Sequence, residues 1–148
     1  MKQSYSLWIY ICRKMLHLLL VEDHAADVLL VREALRQCSV AADVVIAYDG
    51  EDAINRMNRP GFKADFILLD LNLPKVTGFQ ILEQFKGKAG TPVVILTSSD
   101  NPEDRTRALG LGAIAYFTKP FGFDAWKRTI CCIVKQLSPS ATGASPVA

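Results

Sequence analysis

No feature of this chain limits its fold more than the stretch Phe66-Ile67-Leu68-Leu69-Asp70-Leu71-Asn72-Leu73-Pro74. A short apolar run of strand length ends on a carboxylate, and a loop follows at once. A run of this kind is expected to be buried on both faces, as strands of a parallel sheet are. In open α/β sheets, ligand chemistry gathers just beyond the carboxyl ends of the strands. Asp70 should therefore stand where a site forms, and the other strand ends decide what that site can do.

The rest of the chain alternates in the same way. Residues 16–21 are apolar apart from His17 and end in Glu22-Asp23. Residues 26–38 then follow a helical period, with Val28, Val31, Ala34, Leu35 and Cys38 on one face and Arg32, Glu33, Arg36 and Gln37 on the other. A second strand is expected over 44–47, and Asp49-Gly50 turns it into a short helix ended by Arg59-Pro60-Gly61. After Asp70 a loop over 74–78 leads to a third helix reaching about residue 86. Residues 92–96 form the fourth strand with Thr97 at its end. Asp100 or Asn101 can cap a fourth helix that has Pro102 in its first turn. That helix is mostly polar and should be weakly held. Residues 114–118 form the fifth strand, followed by Lys119-Pro120, and residues 123–137 form the last helix. Five strands alternating with five helices predict an α/β fold with right-handed crossovers and a doubly wound parallel sheet.

A chain of 148 residues, 50% hydrophobic and 22% charged, is expected to form one domain with a real core. Its formal charge is +2, but Lys2, Arg13 and Lys14 lie in the first fifteen residues, and the remainder carries 14 basic against 15 acidic side chains. The folded part is therefore not expected to bind nucleic acid by charge, and no DNA-reading domain is expected after residue 137. Cys12, Cys38, Cys131 and Cys132 show no zinc-type or CxxC spacing and read as reduced thiols of a cytoplasmic protein. Residues 1–15 form an N-terminal extension whose apolar part is too short to span a membrane. It reads as a start-site artefact before Met15, with a short helix that pairs with a partner as the other choice. No membrane association is expected. Residues 138–148, small and polar with two prolines, read as a disordered tail.

Glu22-Asp23, Asp70, Thr97 and Lys119 each end a strand or lie just beyond one. Alone, each has an ordinary explanation as a cap, a loop residue or a solvated charge. Together at one sheet edge they point to phosphoryl transfer onto a carboxylate. Three crowded carboxylates repel, and a hard divalent cation with oxygen ligands, Mg²⁺, relieves that repulsion. Asp70 would be the nucleophile. Lys119 and the Thr97 hydroxyl would each take a phosphoryl oxygen. No glycine-rich phosphate cradle is present, so nucleotide binding is not indicated.

The segments LLLVED (18–23), LLDLNLP (68–74), VVILTSS (93–99) and GAIAYFTKPF (112–121) resemble the CheY-like receiver domains of bacterial two-component response regulators. The resemblance spans residues 16–137. It implies a flavodoxin-like sheet with strand order 2-1-3-4-5, and a stand-alone regulator that takes a phosphoryl group from a histidine kinase or phosphotransfer protein. Position by position, it makes Asp70 the phosphoacceptor, Glu22 and Asp23 the acidic pair at the metal, and Asn72 a metal ligand through its backbone carbonyl. Thr97 and Lys119 become the phosphoryl-binding pair. Tyr116 becomes a switch aromatic that moves from exposed to buried with Thr97. The Lys119–Pro120 peptide is expected to be cis. The helix 4–strand 5–helix 5 face would change on phosphorylation and could also serve a homodimer. The wording of LDLNLP and of VEDHAADVLLVREAL resembles a subgroup, some members of which work with phytochrome-type sensor kinases. Such a protein catalyses its own phosphorylation and dephosphorylation without turning over a free substrate.

His24 is expected to be a solvated loop residue, and Asn72 and Ser99 to tune phosphoryl lifetime by leaving the path of water fairly open. An aspartate-nucleophile phosphohydrolase would need a second acid two residues after Asp70, where this chain has Asn72. A receiver fold used only for docking or dimerisation, without phosphorylation, is the other alternative.

Overall fold

The structure is a computed structural model that describes residues 15–85 and 90–137. Strands β1 (Leu16–Val21), β2 (Ala42–Ala47), β3 (Phe66–Leu69), β4 (Val93–Thr97) and β5 (Ala115–Thr118) alternate with five helices. These are α1 (Ala25–Gln37), α2 (Gly50–Met57), α3 (Gly78–Phe85), α4 (Pro102–Gly110) and α5 (Phe123–Leu137). The strands pair in parallel in the order β2-β1-β3-β4-β5, the flavodoxin-like arrangement the sequence implied.

The continuous apolar runs exist because the central strands are covered on both sides. On one face Leu16, Leu18, Leu20, Phe66, Leu68, Val94 and Leu96 pack with Val28, Val31 and Leu35 of α1 and Trp126, Ile130 and Ile133 of α5. On the other, Leu19, Val21, Ile67, Leu69 and Ile95 pack with Ala53 of α2, Ile81 and Leu82 of α3, and Ala108 of α4. Side chains on successive strand residues point to opposite faces, so each run fills two cores in turn. His17, the polar interruption in β1, stays exposed, and its backbone N–H donates to Asp65 Oδ2 at 2.7 Å. Ala108 is the one fully buried side chain of α4, so that helix is held lightly, as its polar sequence predicts. The Asn101 side chain caps it, accepting from the Glu103 N–H at 2.9 Å, with Pro102 at its start.

Two glycines fix the loop that follows β3. A Cβ at Gly78 would lie 2.5 Å from the Asp70 carbonyl oxygen, and one at Gly50 would lie 2.1 Å from that of Val76. Both contacts are with backbone that cannot step aside. Gly78 also donates its N–H to the Leu71 carbonyl at 3.0 Å. The start of α3 is thus pressed against the residue that ends β3.

Three expectations are corrected. Cys38 and Cys131 are not free thiols; they form a disulfide, with Cα atoms 5.6 Å apart across a sequence separation of 93. The packing of α1 against α5 brings them within disulfide range, which the spacing along the chain does not show. Cys132 is a free, exposed thiol, and Cys12 lies outside the described residues. The Lys119–Pro120 peptide is trans, like every other described peptide bond. Trans is the ordinary preference of an X-Pro bond, by about 0.5–1 kcal/mol. Strand β2 begins at Ala42, two residues earlier than expected, because an edge strand carries polar residues on its open side. The readings of the N-terminal extension (residues 1–14) and of the tail (138–148) lie outside the described residues. Among the described residues no helix is long and apolar enough to cross a membrane.

Candidate functional site

The parallel register brings the strand ends together. Val21 pairs with Leu69, which sets Glu22 beside Asp70, and the Asp70 N–H donates to the Val21 carbonyl at 3.1 Å. Thr97 pairs with Thr118, and the Lys119 N–H donates to the Thr97 carbonyl at 2.7 Å. Glu22, Asp70, Thr97 and Lys119 therefore share one edge of the sheet, as their positions in the sequence suggested.

The centre of the site is the Lys119 ammonium. Its Nζ lies 2.8 Å from Glu22 Oε2, 2.8 Å from Asp27 Oδ2 and 2.9 Å from Asp70 Oδ2. The Glu22 and Asp70 side chains are each only 4% exposed, so these charges are little screened by water. Burial pushes the Glu22 carboxyl up to about 7; the Asp70 charge adds to the shift, and the Lys119 hydrogen bond opposes it. Burial alone would lower the Lys119 pKa, but hydrogen bonds to Asp27, Asp70 and Glu22 outweigh it and hold the ammonium charged. The remaining oxygens are partly satisfied by backbone. Glu22 Oε1 accepts from the His24 N–H at 3.0 Å, and Asp70 Oδ1 from the Asn72 N–H at 3.2 Å.

Carboxylate oxygens of Glu22, Asp23 and Asp70 lie within 4.8 Å of one another. Counting Asp27, four acids gather here, and three of them pair with the Lys119 ammonium. The donors are hard oxygens, their charge is incompletely balanced, and one of them is already pushed toward its neutral form. That is the chemistry of a site able to hold a divalent cation.

Thr97 is fully buried, and its Oγ1 accepts from the Ser99 N–H at 3.5 Å. Tyr116 is buried rather than exposed; its hydroxyl donates to the Ser99 carbonyl at 2.8 Å. Burial raises the Tyr116 pKa, so the phenol stays a donor. Arg105 of α4 donates to the Tyr116 carbonyl at 3.2 Å. The Ser99 side chain in turn donates to Asp104 at 2.6 Å. Ser99 thus links the buried threonine to the buried tyrosine and to α4. His24 is solvated, as expected, with its Nδ1 3.4 Å from Asp27 Oδ1.

Asp27 is the residue that sequence reasoning missed. An acid in the first turn of a helix reads as a partner for the helix dipole. The available signal was that α1 begins at the same sheet edge as Asp70, so its first turn faces the site.

Residues 18–130 match the model of the response regulator receiver domain. The transcriptional regulatory protein CiaR of Streptococcus pneumoniae is 36% identical over 123 residues, 82% of this chain and 53% of that protein. The phosphate regulon transcriptional regulatory protein PhoB of Escherichia coli is 37% identical over 127 residues, 84% of this chain and 54% of that protein. The chain thus spans about half the length of these curated relatives. Among solved structures, the phosphorylated cyanobacterial phytochrome response regulator RcpA superposes with a TM-score of 0.78 at 30% identity, covering 90% of this chain and 99% of that one. The bacteriophytochrome response regulator AtBRR superposes with a TM-score of 0.66 at 36% identity, covering 84% of this chain and 94% of that one. With five parallel strands in this order and the acids, threonine and lysine gathered at one edge, the chain belongs to the response regulator receiver domain family.

Proposed function

We propose that the chain is a phosphorylation switch in which Asp70 accepts a phosphoryl group from a histidine kinase or phosphotransfer protein. The observation that carries this reading is the pairing of a buried Asp70 carboxylate with Lys119 inside a cluster of acids. An Asp70 oxygen attacks phosphorus, an O–P bond forms, and the P–N bond to the donor imidazole breaks with the electron pair leaving on nitrogen. Lys119 and the Thr97 hydroxyl then take phosphoryl oxygens. Glu22, Asp23, Asp70 and the Asn72 carbonyl would hold Mg²⁺, which when bound neutralises charge on those oxygens.

The output runs through Ser99. When the Thr97 hydroxyl turns toward the phosphoryl group, it leaves the Ser99 N–H, and Ser99 also holds Tyr116 and Asp104. The lightly held α4 with β5 and α5 is then the face that changes for a partner or a second copy of the chain. Likeness to two phytochrome-associated regulators favours a phytochrome-type sensor kinase as donor.

The test is uptake of phosphate from acetyl phosphate, followed by intact mass, with and without Mg²⁺. Uptake that needs Mg²⁺ supports the reading, and no uptake by folded protein overturns it.

A pH dependence follows from Glu22. Its carboxyl lies above its ordinary 4.5, at about 7. Its contribution to the stability of the metal-free protein is therefore complete below its ordinary value and lost as pH rises through about 7. Mg²⁺ needs the ionised form, so calorimetry should find Mg²⁺ affinity falling by up to about tenfold per pH unit below 7 and levelling above about 8. An affinity that is flat between about pH 6 and 8 would remove Glu22 from the site.

A further inference from the structure

The Lys119 ammonium donates to Asp27 at 2.8 Å and to Asp70 at 2.9 Å, and pairs by charge with Glu22 at 2.8 Å. Glu22 and Asp70 belong to the group of oxygens able to take a cation, whereas Asp27 does not. We infer that Asp27 is a positioning residue that anchors the Lys119 ammonium beside the site while Glu22 and Asp70 turn to a divalent cation and a phosphoryl group. The inference rests on the reading of Asp70 given under Proposed function.

The ammonium and a cation compete for the same two carboxylates. An ammonium anchored only there would oppose cation binding or swing into solvent. Asp27 offers a third oxygen at 2.8 Å, in the first turn of α1, where the helix fixes it independently of the strand ends. The Asp27 side chain is 17% exposed, so the attraction is not lost to screening. Its other oxygen, Oδ1, lies 3.4 Å from His24 Nδ1. Once Asp70 carries a phosphoryl group, its esterified oxygen loses its charge. The donor that held it is then free for a phosphoryl oxygen. With Asp27 as pivot, the ammonium needs only to rotate.

The test is a double-mutant cycle on Mg²⁺ affinity, by calorimetry at about pH 8, where Glu22 is ionised. Asp27→Asn should weaken Mg²⁺ binding by about five- to tenfold, and Asp27→Glu, which keeps the charge, should stay within about threefold of the native protein. In a Lys119→Gln background the Asp27→Asn loss should shrink below about twofold. An Asp27→Asn variant that binds like the native protein overturns the inference. So does an equal loss in both backgrounds, which would make Asp27 a distant charge acting directly on the cation. Absence of Mg²⁺ binding by the native protein would instead overturn the parent reading, and the inference with it.

Discussion

Gly78→Ala should cost about 2–3 kcal/mol of unfolding free energy, seen as a lower midpoint in urea. The added Cβ would sit 2.5 Å from the Asp70 carbonyl oxygen and 2.7 Å from the Leu71 Cα. Both are backbone atoms of the segment that carries the site, so relief requires moving α3 or the loop. Helix propensity works the other way, by up to about 1 kcal/mol in favour of alanine, and is outweighed by the clash. Because the atom displaced belongs to Asp70, site geometry should suffer with stability. Gly110→Ala is the matching control: a Cβ there meets nothing within 4 Å, at the end of α4. It should be neutral or stabilising by up to about 1 kcal/mol. An unchanged midpoint in Gly78→Ala would mean that α3 does not brace the loop.

Lys119→Gln should separate stability, cation binding and phosphoryl transfer. It removes the one cation that three carboxylates share. Breaking a buried pair by removing one partner costs about 3–5 kcal/mol. The partial exposure of Lys119 and the ability of Glu22 to take a proton reduce that to about 2–3 kcal/mol at pH 8. The loss should shrink toward pH 6, where Glu22 is largely neutral, and shrink again in Mg²⁺. Mg²⁺ itself should bind more tightly, since its competitor for Glu22 and Asp70 has gone. Phosphoryl uptake should nevertheless fall by about a hundredfold or more, as it does when a preorganised donor to developing charge is lost. Weaker Mg²⁺ binding with unchanged uptake would contradict this assignment of Lys119.

The sites were legible where one residue at the end of an apolar run settled its own position. Glu22, Asp70, Thr97 and Lys119 follow from strand ends alone, because a parallel sheet must bring those ends to one edge. What stayed hidden depends on packing between distant segments. The disulfide of Cys38 and Cys131 needs α1 and α5 to lie side by side. Asp27 looks like a helix-dipole residue until Lys119 is seen beside it. The trans Lys119–Pro120 bond differs from the family expectation, and no local pattern marks it. Tyr116 could be placed on β5, but its burial against Ser99 depends on where α4 settles. The early start of β2 shows only in its pairing with β1, where Ala42 lies opposite Leu16 and Asp43 opposite His17.

The most direct measurement compares the native protein with Asp70→Asn in acetyl phosphate and Mg²⁺, reading the mass of the intact chain and of the peptide that carries Asp70. The account predicts a single phosphoryl addition on that peptide in the native protein and none in the variant, with both proteins folded. Equal addition to both, or addition to a different residue, would contradict the assignment of Asp70. No addition to either would leave a receiver fold that works by docking alone.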